Sequence, residues 1–264
     1  MLALAALLVL VTYSWVEPAE LYHVSVDGLA GGLGRALVLL NFPISLVAIG
    51  VVGVLLERGA SSTAGVVAIA LCAVTAFPDV VDQDDLDARL VNVVPALGVA
   101  IALALTVRSR PRVSFAPRRR FDWLRALAAL VVVVGSIPWF FAELGFYGPD
   151  PILAEEVPAG EEIAAVHLGH HHGTDGMLLA LCALLLSRVA RTALLQAYVS
   201  LMFVYGVANA LQDFWLEQLV KRGTTDVEIP SLLVPRASWA WLVLLATALA
   251  LFLVSRATRA ERAR

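Results

Sequence analysis

Apolar runs of about twenty residues, separated by short polar breaks, fill this chain almost from end to end. A hydrocarbon core about 30 Å thick is crossed by roughly 17 to 25 helical residues. Stretches that fit this template fall at 1–16, 33–56, 62–80, 90–107, 123–143, 165–187, 193–217 and 237–255. The first is short, but it lacks a basic leader and no small-residue cleavage site precedes Glu17-Pro18, so it is not expected to be a removed signal peptide. The pattern predicts an all-α fold, a polytopic membrane helical bundle with eight transmembrane helices in a single integral membrane domain, residues 1–264.

Composition agrees with the pattern. Hydrophobic residues make up 60% of the chain and charged residues 16%, with a mean hydropathy of +0.83; soluble domains carry about 25% charged residues. The stretches at 108–122, 144–164 and 218–236 fall short of the roughly 50 residues that a separate soluble domain needs.

Charge adds a direction. Arg108, Arg110, Arg112, Arg118, Arg119 and Arg120 lie in one loop, Arg188 and Arg191 in another, and Arg256, Arg259, Arg262 and Arg264 in the tail. In an eight-helix count these segments share one side, and the positive-inside rule makes that side, with both termini, cytoplasmic. The opposite loops hold Asp79, Asp82, Asp84, Asp85 and Asp87, then Glu155, Glu156, Glu161 and Glu162. A basic inner face suits a lipid bilayer and an acidic outer face repels nucleic acid, so no nucleic-acid partner is expected. Lys221 is the single lysine among nineteen basic residues, a bias we read as high-GC codon usage, and the expected location is the cytoplasmic membrane of a prokaryote. Cys72 and Cys182 fall inside predicted spans, where a thiol packs as a small apolar residue, and no disulfide is expected. Trp and Tyr residues near span ends, Trp239 and Trp241 among them, read as interfacial anchors.

The candidate chemistry is concentrated at the outer ends of the spans. Four of the five histidines occupy six residues, His167, His170, His171 and His172, and Asp175 follows. Ionisable groups in a span normally face the bundle interior and mark function. At about 100° per residue, His167, His171 and Asp175 share one helix face, and so do Asn209, Asp213 and Glu217, while His172 points away. A short connection near residue 190 makes the two helices antiparallel neighbours and sets His167 about level with Asp213 and His171 with Asn209.

Imidazoles one turn apart facing a carboxylate form an N and O ligand set for a divalent metal, Zn²⁺ first and Fe or Mn as alternatives. The candidate ligands are His167, His170, His171, Asp175 and Asp213, with Asp213 or Asp79 as a catalytic base. Asn209, Glu217, Glu143 and His23 are candidates for a supporting role around them. The competing reading is a solvated histidine cluster hydrogen-bonded to Asp and Asn, holding two helices together.

Local resemblances were weighed against these residues. His167-x-x-His170-His171 resembles one histidine box of the membrane desaturases and hydroxylases, but a site of about eight histidines exceeds the five present. His23, Asp79 or Asp82, and His167-x-x-x-His171 follow the order of zinc ligands in the seven-helix ceramidase and adiponectin-receptor-like hydrolases, a similarity of layout over a handful of residues. Asn209, Asp213, Glu217 and Lys221-Arg222 resemble a prenyltransferase motif, on the opposite side and without its second acidic motif. The leading functional expectation is a metal-dependent hydrolase of a lipid or amphiphile. The alternatives are a structural or metal- or haem-carrying subunit of a membrane complex, and a transporter. The sequence leaves the oligomeric state open.

Overall fold

The computed structural model describes residues 28–77, 88–109, 122–143, 171–220, 225–233 and 235–260. They form helices, with no strand among the described residues. Helices α1 (Gly28–Leu39) and α2 (Ser45–Leu56) are halves of one apolar run broken at Leu40–Ile44; α3 (Ser62–Ala73) ends in a 3₁₀ turn, Val74–Ala76. Helix α4 (Val93–Arg108) follows a 3₁₀ turn, Leu90–Asn92. Then come α5 (Asp122–Glu143), α6 (His171–Leu186), α7 (Ala193–Trp215), extended by a π-helical turn at Leu216–Val220, and α8 (Trp239–Ala260).

Among the described residues, four helices are long and apolar enough to cross a membrane: Ala36–Leu56, Leu90–Arg108, Ala193–Trp215 and Trp239–Thr258. Ser62–Ala76 and Asp175–Leu186 are shorter apolar helices. The structure therefore supports four crossing helices where the sequence predicts eight spans, and the predicted span at 1–16 lies outside the described residues. Leu127, Leu130, Val131 and Val134 of α5 and Leu242, Leu249 and Val254 of α8 are exposed. Contiguous apolar surface of this kind fits a lipid-facing flank. The fold is that of a helical membrane protein.

The helices share two chemically different ends. At one end the carboxylate of Glu57, just past α2, accepts hydrogen bonds from Arg191 N–H (2.9 Å), Thr192 N–H (2.7 Å) and Thr192 Oγ1 (2.6 Å). This ties the 57–61 turn to the N-cap of α7, whose Thr192 Oγ1 also accepts from Leu195 N–H. Burial alone would raise the Glu57 carboxyl, but the hydrogen bonds from Thr192 and Arg191 and the Arg191 charge hold it below its usual value. At the same end Asp122 pairs with Arg188 (2.8 Å) and Arg125 (3.2 Å), bringing in the start of α5. Arg58, Arg188 and Arg191 are joined there by Arg108, because α4 runs antiparallel to α3, with Gly98 against Cys72 and Ala68.

The core is built on α2. Val47, Ala48 and Val52 are at most 1% exposed and pack with Ile44, Leu179, Ala183 and Val199. The break before α2 follows from Pro43, which has no N–H to donate and crowds the preceding turn; Phe42 takes extended angles (φ −141°, ψ 128°). The backbone acceptors of the break are met by side chains. Asn41 Nδ2 donates to Leu37 O and to Asn92 O (3.0 Å), Asn92 Nδ2 donates to Asn41 Oδ1 (3.2 Å), and Ser45 Oγ donates to Leu40 O (3.2 Å). Buried carbonyls rarely go without a donor, and these side chains supply it.

Candidate functional site

Among the described helices, α6 and α7 form the tightest pair, because each has a glycine where they cross. A Cβ on Gly176 would collide with Gly206 O and fall 2.8 Å from Ala210 N, and one on Gly206 would collide with Gly176 O and fall 2.8 Å from Ala180 N. Backbone therefore lies on backbone, as small residues permit at helix interfaces. This crossing fixes the register: residue 176 lies between 206 and 210, so Asp175 is level with Asn209 and residue 171 with Asp213. The sequence reading had set the pair one turn off, with His171 level with Asn209. A short connection near residue 190 makes the helices antiparallel neighbours but does not fix their register, which the glycine crossing sets.

Asp175, Asn209 and Asp213 are buried, at 3%, 2% and 6% exposure. Neither Oδ1 nor Nδ2 of Asn209 has a hydrogen-bond partner among the described residues. An amide buried without partners costs about 1–3 kcal/mol or more, so this position is where a ligand or water is most expected. Beneath Asp175 the seam is dry: Leu179, Ala180 and Ala183 are at most 1% exposed. The break at Phe42 lies at the same depth, since its ring meets Tyr205, the neighbour of Gly206, edge to face at 5.9 Å.

Not every polar residue of α7 serves this layer. Gln212 straps a returning segment to the helix: its Nε2 donates to Ile229 O and Pro230 O (both 3.1 Å) and its Oε1 accepts from Leu232 N–H (2.7 Å). Trp215 Nε1 donates to Val227 O (2.8 Å), and Tyr205 OH donates to Leu233 O. Ten residues of α7 separate Tyr205 from Trp215, about 15 Å at 1.5 Å per residue. Residues 227–233 thus descend along α7 in extended form, their carbonyls met by side chains, as irregular backbone requires when buried in protein. Trp241, read from sequence as an interfacial anchor, packs instead on Tyr205 with ring centroids 5.7 Å apart.

The remaining candidates are placed as follows. His167, His170, Asp79 and His23 lie outside the described residues. His171 opens α6, Glu143 closes α5 and Glu217 falls in the π-helical turn after α7. Among the described residues, no three His, Cys, Asp or Glu side chains gather as a metal-binding group. His172, which helical spacing sets apart from the row, is half-buried with Nδ1 inside the protein. Helical spacing sets His172 off the Asp175 row, but burial of its Nδ1 depends on tertiary packing, which spacing does not carry.

These features define a helical membrane protein with a buried Asp–Asn–Asp layer near one end. Compared with known protein families, with curated proteins and with solved structures, the chain matches none.

Proposed function

We propose that the protein is an integral membrane protein that binds a divalent cation at the end opposite the Arg108, Arg188 and Arg191 cluster, through Asp175, Asp213 and the amide of Asn209. The histidine cluster His167, His170 and His171 completes the ligand set. The observation that carries this reading is Asn209, whose two amide atoms are buried without a partner among the described residues, between two buried carboxylates. Carboxylate and amide oxygens suit hard cations, and imidazole draws the preference toward Zn²⁺, Fe or Mn. Occupation of the layer would satisfy the amide of Asn209, which removes the cost of its burial. With the arginines inside, the layer faces the outer leaflet of a prokaryotic cytoplasmic membrane.

Binding is favoured over passage, because Leu179, Ala180 and Ala183 close the α6–α7 seam below Asp175 and a transport route needs polar groups further down. Hydrolysis would additionally require an open coordination position and room for substrate beside the layer. The test is elemental analysis of the detergent-purified full chain. About one equivalent of metal is expected, lost in an Asp175→Asn, Asp213→Asn double variant that keeps the wild-type helical circular dichroism. Metal-free wild-type protein, or full retention by the double variant, would leave the layer as hydrogen-bonding between helices.

A further inference from the structure

At the end of the bundle where Glu57 holds α2 to α7, a cavity of about 320 Å³ opens beside the α6–α7 hairpin. Gln196, Val199, Ser200 and Phe203 line it from a single face of α7, at the 3–4-residue spacing of a helix. Leu251 and Ser255 of α8 line it as well, and Arg125 does so from the start of α5. From Gln196 to Phe203 the cavity follows α7 for seven residues, about 10 Å. Its volume falls within the roughly 300–1,000 Å³ of small-molecule sites, which join an apolar body to a few placed polar groups.

Most polar groups of the lining are engaged within the protein. Arg125 Nε donates to Ser187 Oγ (2.9 Å) and its Nη1 meets Asp122 at 3.2 Å, while Ser187 Oγ donates to Leu184 O (2.7 Å). Ser255 Oγ donates to Phe252 O (2.8 Å) and Thr258 Oγ1 to Val254 O (3.1 Å). Ser200 is different. It is only 7% exposed, it lines the cavity, and its hydroxyl has no hydrogen-bond partner among the described residues. One turn earlier, Gln196 donates through Nε2 to Ala190 O (3.4 Å) and Arg191 O (2.7 Å), and its Oε1 accepts no bond from the described residues. Buried polar atoms normally find partners, so a hydroxyl enclosed without one marks where a ligand's polar atom belongs. The amide Oε1 can only accept, whereas the serine hydroxyl can donate. A group that answers both must itself donate and accept, and it must be neutral, because the one charged residue of the lining is already bonded to Ser187 and Asp122.

We propose that this cavity binds an uncharged, single-chain amphiphile with a hydroxyl head, in its simplest form a long-chain alcohol. The ligand hydroxyl donates to Gln196 Oε1 and accepts from Ser200 Oγ, and the alkyl chain lies against Val199, Phe203 and Leu251 toward the middle of the bilayer. The site uses no residue of the Asp175–Asn209–Asp213 layer and stands apart from the cation reading.

Photolabelling of the full chain, purified in a detergent without hydroxyl groups, tests the assignment. The probe is dodecanol carrying a mid-chain diazirine, with the labelled peptides mapped by mass spectrometry. Label is expected on the segments holding Val199, Phe203 and Leu251. Dodecanol should displace it about tenfold more effectively than dodecyl methyl ether, which keeps the chain and the acceptor but has no proton to donate. Dodecanoate should compete no better than the ether. Ser200→Ala removes a hydroxyl that bonds nothing in the protein, so it should keep the wild-type unfolding midpoint while about fivefold more dodecanol is needed for displacement. Leu251→Trp, which fills the apolar end, should abolish labelling of the α7 segment. Equal displacement by dodecanol and the ether in the wild type overturns the proposal without recourse to any variant. So does stronger competition by dodecanoate, an unchanged dodecanol requirement in Ser200→Ala, or label confined to the exposed apolar faces of α5 and α8.

Discussion

At Gly176 and Gly206 the main chains of α6 and α7 approach so closely that a methyl group on either meets the other helix's backbone. Backbone cannot swing aside as a side chain can, so the helices must separate, and overpacking of this kind costs roughly 1–3 kcal/mol. Gly206→Ala should therefore lower the thermal unfolding midpoint of the purified protein and pull Asp175 away from Asn209. Gly53 provides the control. A Cβ there meets only the Leu195 Cδ1 methyl, 2.8 Å away at the end of a flexible side chain, so Gly53→Ala should shift the midpoint far less. Equal shifts in the two variants would refute the view that backbone contact sets the α6–α7 distance. None of this is legible in a sequence where Gly176 and Gly206 are two among eighteen glycines, because a close approach is a property of a pair and the pairing depends on a register.

Among the elements, the turn after α2 and the start of α7 are held together by a single carboxylate. Glu57 sits at the N-terminus of α7, where N–H groups and the helix dipole both favour negative charge. Its folded pKa lies below the ordinary 4.5, so its contribution to stability is present above that value and is lost as pH falls through the lowered folded value. Unfolding midpoints of the wild type and Glu57→Gln should therefore differ at neutral pH and converge as the solution is acidified below about pH 4.5. A gap that persists at low pH would show that the neutral amide, rather than the missing charge, is responsible. Helix extents of this kind were largely readable: the apolar runs at 62–80, 90–107, 123–143 and 193–217 correspond to α3 through α5 and α7 within a few residues. Hydrophobic length is a local property, and local properties survive into the fold. Pro43 inside an apolar run is the one sign of the break at Phe42, and it is easily masked because the run as a whole still has spanning length. The strap at 227–233 carried no periodicity, and its partners Gln212, Trp215 and Tyr205 lie on another element, where only tertiary packing reveals them.

For the whole molecule, the two ends differ in chemistry, and the orientation proposed from that difference can be measured. Arg58, Arg108, Arg188, Arg191 and Arg256 gather at one end of the described helices, against Arg89 and Arg236 at the other, toward which the buried polar residues Asn41, Thr75, Asn92, Asp175, Asn209 and Asp213 lie. The proposed orientation, by the positive-inside rule, puts the larger arginine cluster on the cytoplasmic side and the polar layer outward. Cys72 and Cys182 are buried, so single cysteines placed on exposed positions report their own side with little background. In intact cells a membrane-impermeant maleimide should label Val227→Cys and leave Ser61→Cys and Ser109→Cys untouched, and opening the cells should expose the latter two. Labelling of all three in intact cells, or the reverse pattern, would overturn the orientation. The same experiment bears on the proposed cation layer. It determines whether that layer meets the medium or the cytoplasm. Because Glu57, Arg191 and Thr192 lock the 57–61 turn to the start of α7, Ser61 must label from the same side as that connection, and the two halves of the chain cannot be oriented independently.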